Sequence, residues 1–195
     1  MRVISAVPSV SVPVMMGIMV DFSRSSMGQE NRPANMATLA HLFEKGIHDL
    51  DGAFLVAFGM STFQLTGATP NTAEFKAGIK DLLDGQPIGA TALFDSVLQI
   101  ATTRFQELPD RKVILVLSEF QESSSLDRLN ITILAIQEAG VSVFGLAEQT
   151  GRHSGKDWKL AAKTSRKIAL KQAGKPSLIL RPKILKFSST VSGVI

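Results

Sequence analysis

Val14-Met15-Met16-Gly17-Ile18-Met19-Val20 runs without a charge into Asp21-Phe22-Ser23-Arg24-Ser25. Seven apolar residues that stop at a polar turn have the length of a strand buried on both faces, as strands of a parallel sheet are. Upstream, Val3 to Val20 carries no charge after Arg2, which raises a signal peptide or a membrane span as alternatives. Pro8 and Pro13 interrupt that stretch, Ser5, Ser9 and Ser11 dilute it, and no small-x-small cleavage signal precedes a mature start. The expectation is a first strand and no membrane span. No compartment is legible: cytoplasmic is the default, exported the alternative if the start is truncated.

Downstream, two periodicities alternate. From Ala34, the residues Met36, Leu39, Ala40, Leu42, Phe43 and Ile47 recur at helical spacing, with Asn31 or Asn35 as candidate caps. Ala53 to Phe58 reads as a second buried strand and Thr62 to Thr66 as a short, edge-like third. Pro70-Asn71-Thr72 opens a helix with Phe75, Ile79, Leu82 and Leu83 on one face, and Ala92 to Phe105 forms another on Leu93, Val97, Ile100 and Ala101. Lys112 to Leu117 is the most strand-like run, Glu119 to Ser125 a polar loop, Leu129 to Ala139 a helix and Val141 to Leu146 a fifth strand. Buried β-branched runs alternating with helices predict an α/β fold. It is a three-layer, Rossmann-like, doubly wound and mostly parallel sheet with one antiparallel edge strand and helices on both faces.

The 195 residues are 45% hydrophobic and 19% charged, enough for a sizeable core. The chain has no cysteine, which excludes a disulfide framework, a cysteine nucleophile and a thiolate metal site. Its net charge of +4 is uneven. Residues 1–151 hold ten Lys/Arg against sixteen Asp/Glu, whereas residues 152–195 hold eleven against Asp157 alone. The expected organisation is an α/β domain over 1–150 and a basic segment over 151–195. In that segment Lys156 to Ala173 has helical composition, Ser177 to Leu180 could add an edge strand, and Phe187 onward looks frayed. Only Trp158 and Phe187 interleave the tail's charges, which supplies base stacking poorly, so nucleic acid is not the expected partner.

In an open α/β sheet, ligands bind beyond the carboxyl ends of the strands. After Val20, alternate residues of an extended turn can aim Asp21, Ser23 and Ser25 at one point. After Leu117 come Ser118 and Glu119, a second carboxylate in an equivalent place. These are hard oxygens, which suit Mg²⁺, Mn²⁺ or Ca²⁺.

Asp-x-Ser-x-Ser after a first buried strand resembles the metal-ion-dependent adhesion site (MIDAS) of von Willebrand factor type A domains, particularly the bacterial stand-alone type. Three further segments carry the resemblance: Gly89-Ala90-Thr91-Ala92-Leu93-Phe94-Asp95, Val113-Ile114-Leu115-Val116-Leu117-Ser118-Glu119, and Ala139-Gly140-Val141-Ser142-Val143-Phe144-Gly145-Leu146. They follow in the family's order over roughly residues 13–148. The resemblance implies a metal site at Asp21, Ser23, Ser25, Thr91 and Glu119, with Ser23 and Ser25 as direct ligands. Asp21 and Thr91 would act directly or through water. Three positions depart from the family pattern. Glu119 stands for an aspartate, Arg24 for a glycine, and Phe120 for the glycine after the acid.

What the resemblance implies is a binding module, in which a cation held with one open position recognises an acidic side chain of a partner protein. A metal-free, degenerate scaffold is the alternative, and the three departures favour it. A phosphoryl-transfer enzyme is a third reading. Ser23 stands where a haloacid-dehalogenase-like phosphatase needs its second aspartate, and nucleotide-phosphate loops and a nucleophile elbow are missing. No enzyme is expected. The ordinary readings remain open at each position. Asp21 can cap its own loop, Ser23 and Ser25 can be plain loop serines, and Thr91 can cap the helix it precedes. Glu119 can pair with Arg24, and Asp95 can support the helix start. The partner's identity and the oligomeric state are not legible.

Overall fold

The computed structural model describes residues 13–24, 26, 32–46, 52–69, 71–105 and 111–147. Ser25, Asn31, Ile47, Pro70 and the segment 151–195 lie outside the described residues. The elements are β1 (Val14–Asp21), α1 (Arg32–Gly46), β2 (Gly52–Phe58), β3 (Thr62–Gln64), α2 (Thr72–Asp84), α3 (Leu93–Thr103), β4 (Arg111–Ser118), α4 (Leu129–Glu138) and β5 (Val141–Ala147).

The sheet has five strands in the order β3-β2-β1-β4-β5. Strand β1 pairs in parallel with β2 and β4, β4 pairs in parallel with β5, and β3 alone runs antiparallel, at the edge against β2. The expected architecture is therefore present. Because β2 and β4 flank β1 on opposite sides, the chain reverses its direction across the sheet at β1. That is the switch point where a crevice opens beyond the carboxyl ends of β1 and β4.

Successive side chains of a strand point to opposite faces, and this sorts the core into two layers. Ile18, Val20, Leu55 and Ala57 pack with Met36, Leu39 and Phe43 of α1 and with Phe75, Ile79 and Leu82 of α2. Met19, Phe54, Val56, Phe58, Ile114 and Val116 pack on the other face with Leu93, Val97 and Ile100 of α3 and Ile136 of α4. Each fully buried Leu, Ile or Phe is worth roughly 1.5–3 kcal/mol of transfer free energy. Truncating one of them, as in Leu55→Ala, costs about 2–5 kcal/mol.

Local rules explain the helix positions. Pro33 lies in the first turn of α1, where its missing N–H costs nothing. Asn71 caps α2 by accepting from the N–H groups of Ala73 and Glu74. One expectation needs correction. Leu83 is exposed and not part of the buried face of α2, because that face is centred on Phe75, Gly78, Ile79 and Leu82, with Gly78 lying against the Thr66 methyl group.

Candidate functional site

Asp21 is the last residue of β1, and the β1–β4 register pairs Val20 with Leu117, so the next step sets Asp21 beside Ser118. Ser118 Oγ donates to Asp21 Oδ2 at 2.5 Å and accepts the Phe120 N–H at 2.8 Å. On the other side, the Ser23 N–H donates to Asp21 Oδ1 at 3.0 Å, and the Ser26 N–H reaches Ser23 Oγ at 3.4 Å. Asp21, Ser23, Ser26, Ser118 and Glu119 are all buried.

A second turn closes over the first. The Ile88 N–H donates to Phe22 O at 2.7 Å, and the Arg24 N–H to Gly89 O at 3.2 Å. The Ala92 N–H donates to Gly59 O at 2.9 Å, which ties the same loop to the end of β2. Gly59 permits this approach, since a Cβ there would meet the Ile88 carbonyl oxygen at 2.1 Å. The loop after β4 completes the rim. Thr91 O accepts from the N–H groups of Ser123 and Ser124, each at 3.0 Å, and the Thr91 N–H donates to Ser123 Oγ at 3.0 Å. Three turns from separate parts of the chain are thus laced together beyond β1 and β4.

Burial pushes the Asp21 carboxyl up from its ordinary 3.8 to about 6. The bonds from Ser118 and Ser23 favour its charged form and the negative charge of Glu119 disfavours it, and together they do not reverse the effect of burial. Two acidic side chains, Asp21 and Glu119, are therefore buried at the ends of neighbouring strands.

Of the five residues singled out by the sequence, four stand on these turns: Asp21 and Ser23 after β1, Thr91 before α3, and Glu119 after β4, all of them buried. Ser25 lies outside the described residues. The ordinary reading of Asp21 is partly realised, since it does cap its own turn through the Ser23 N–H. Thr91 is not the helix cap. The N-cap of α3 is Ala92, without a side-chain bond, and the exposed N–H groups of that helix are met from the loop after β4. Ser125 Oγ accepts from Phe94 at 3.0 Å and Asp95 at 3.2 Å, and Glu122 Oε2 accepts from Phe94 at 3.1 Å. Asp95 does sit in the first turn of α3, and its carboxylate also accepts the N–H groups of Leu126 and Asp127. Arg24 is exposed, whereas Glu119 is buried.

Phe120, where the family pattern has glycine, has φ 56°, in the left-handed region. A bulky side chain costs about 1–2 kcal/mol there. The ring is buried in the core and lies where a Cβ on Gly145 would stand, 2.4 Å from Cζ, so the absence of a side chain on β5 makes room for it.

The oxygens gathered here are carboxylate and hydroxyl, a donor set that fits a hard divalent cation and not a soft one. Among the described residues no group of three or more His, Asp or Glu side chains is arranged to hold a metal, so acidic side chains alone do not make a coordination shell. Ser118, Ser26 and Glu122 were not singled out by the sequence. Ser118 was accessible as the last residue of β4, whereas the other two carry no local signal.

No protein-family model and no curated protein matches the sequence. Solved structures do match. Proximal thread matrix protein 1 from the mussel byssus superposes with a TM-score of 0.63 at 17% identity, over 81% of this chain and 39% of that one. The chain thus spans about two fifths of that protein, which has also been solved with a zinc-occupied MIDAS motif. An aerotolerance-related membrane protein from Bacteroides fragilis gives 0.62 at 16% identity, over 83% of this chain and 89% of that one. BatB from Bacteroides thetaiotaomicron gives 0.60 at 16%, over 83% and 87%. Strand order, the lone antiparallel edge and these superpositions agree: the chain has the fold of a von Willebrand factor type A-like domain.

Proposed function

We propose that this domain is a non-enzymatic protein-binding module. It holds one divalent cation, Mg²⁺, Mn²⁺ or Ca²⁺, at Asp21, Ser23, Ser25, Thr91 and Glu119, and presents it to an acidic side chain of a partner protein. The observation that carries this reading is the burial of two acidic side chains, Asp21 and Glu119, where β1 and β4 end side by side. Burying like charges together is costly unless a cation compensates them. The zinc-occupied motif of the mussel protein supports a divalent ion on this fold. Asp21 and Glu119 would neutralise most of the ion's charge and the hydroxyls would orient it. The ion supplies Lewis acidity toward a carboxylate.

Glu119 bears on the choice of ion. Its extra methylene displaces the carboxylate relative to aspartate, and Ca²⁺ and Mn²⁺ tolerate that better than the near-ideal octahedron of Mg²⁺. A metal-free scaffold is the second reading, favoured by Phe120 at φ 56°, which stands where the family pattern has glycine and packs its ring into the core. Thermal denaturation of the full chain with each ion in turn separates the two, because an ion that binds only the folded state raises the midpoint with concentration. The module reading expects a rise with at least one ion and cation-dependent capture of an acidic peptide, reversed by chelator. An unchanged midpoint with all three ions contradicts it.

A further inference from the structure

Ser26 lies one residue beyond the Asp-x-Ser-x-Ser pattern. Ser26 is 1% exposed, and among the described residues its buried Oγ has no hydrogen-bond partner. Leaving a buried hydroxyl unsatisfied costs about 1–3 kcal/mol, and a serine can usually rotate to avoid it. The position of this hydroxyl is constrained by its own backbone. The Ser26 N–H is bound to Ser23 Oγ at 3.4 Å, and Oγ of the same residue is only three bonds from that nitrogen. The unpartnered oxygen is therefore held in the turn that carries Ser23 and Asp21, with Asp21 in turn bound to Ser23.

We infer that Ser26 is a further oxygen ligand of the cation site, its hydroxyl completed by the ion. The inference rests on the cation reading above. It assigns the residue after the second serine of the motif a role that the motif itself does not contain. Asp21 and Glu119 supply charge, whereas Ser26 supplies a neutral oxygen that raises the ligand number. A higher ligand number and a longer acidic arm both favour a larger, less geometrically strict ion, so the site takes Mn²⁺ or Ca²⁺ ahead of Mg²⁺.

The two roles open to Ser26 predict opposite signs. If the hydroxyl waits for an ion, Ser26→Ala removes an unsatisfied group, leaving the metal-free melting temperature unchanged or higher. The same variant weakens Mn²⁺ and Ca²⁺ binding about 10-fold or more, on the scale seen when groups around a metal are removed. If Ser26 is merely structural, the metal-free protein loses stability and the cation-induced shift is unaltered. Ser26→Cys gives a second readout in the full chain, which has no other cysteine. A thiolate ligand prefers a soft ion, so titration with Cd²⁺ should produce a thiolate-to-cadmium charge-transfer band that vanishes when Asp21→Ala is added. Absence of that band, or a Ser26→Ala chain with the wild-type cation response, overturns the inference. Wild-type protein that responds to no cation at all overturns the metal reading itself, so the two failures are distinguishable.

Discussion

Two pairs of acids stand at the carboxyl end of the sheet, and the protein treats them differently. Glu122 and Asp95 join the loop after β4 to the start of α3. Glu122 Oε1 accepts the N–H groups of Ser124 and Ser125 at 2.9 and 2.7 Å, and Oε2 accepts from Phe94 N–H and Ser125 Oγ. Asp95 accepts from Leu126 and Asp127 at 2.8 and 2.9 Å. Both are only partly buried, and both lie at a helix N-terminus, where negative charge is favoured. Asp21 and Glu119 are nearly fully buried, and Asp21, with donors from both Ser118 and Ser23 on it, still has its carboxyl pushed up to about 6. Local donors surround the first pair. Those on Asp21 do not offset its burial, which is the signature of a place that awaits positive charge.

The sharpest test of that contrast is to remove one member of each pair. Asp21→Ala should abolish cation-induced stabilisation, whereas Glu122→Ala should leave a clear response; differential scanning fluorimetry with Mn²⁺ reads both. Equal loss from both variants would erase the distinction.

The next effect concerns pH without metal. Raising the folded-state value of an acid means that the folded protein binds more protons than the unfolded chain. Stability therefore falls as pH rises from about 4 to about 6 and stays lower above that. A shift of that size corresponds to roughly 3 kcal/mol. Chelator-treated wild type compared with Asp21→Asn in urea should show that slope for the wild type and a flatter one for the variant. A difference of opposite sign would mean that Asp21 is already compensated.

A smaller effect is expected at the clamp. Glu122→Ala takes the acceptor from the Ser125 N–H and leaves Phe94 and Ser124 with only Ser125 Oγ and Thr91 O, so it should cost about 1–3 kcal/mol, measured by urea unfolding at pH 7. Smaller still is Asp95→Asn, which keeps one carbonyl oxygen for Leu126 or Asp127 and should cost about 1 kcal/mol by the same measurement. A larger cost at Asp95 than at Glu122 would show that Asp95 carries the clamp.

What the sequence could and could not disclose follows the same division. β1, β2 and β4 were legible because strands buried on both faces are continuous apolar runs, and the edge position of β3 followed from its short alternation. Asp21, Ser23, Thr91 and Glu119 were legible because they follow strand ends or precede a helix within a spaced pattern. The capping of α3 was not. Its donors are met by Ser125 and Glu122, about thirty residues further along the chain, and no local rule reports a contact that only the fold creates. Ser118 needed the β1–β4 register, and Ser26 needed the burial of an oxygen that no pattern marks. Leu83 was assigned to the buried face on spacing alone, whereas the packing of Gly78 against Thr66 turns that face toward Gly78 and Leu82.

An ion at the rim is what separates a binding module from a metal-free scaffold. Electron paramagnetic resonance of free Mn²⁺, titrated with the full chain at pH 8 and repeated with Asp21→Ala, measures this directly. One Mn²⁺ bound per wild-type chain and none per variant is the predicted result; unbound Mn²⁺ with both, or equal binding by both, would contradict it.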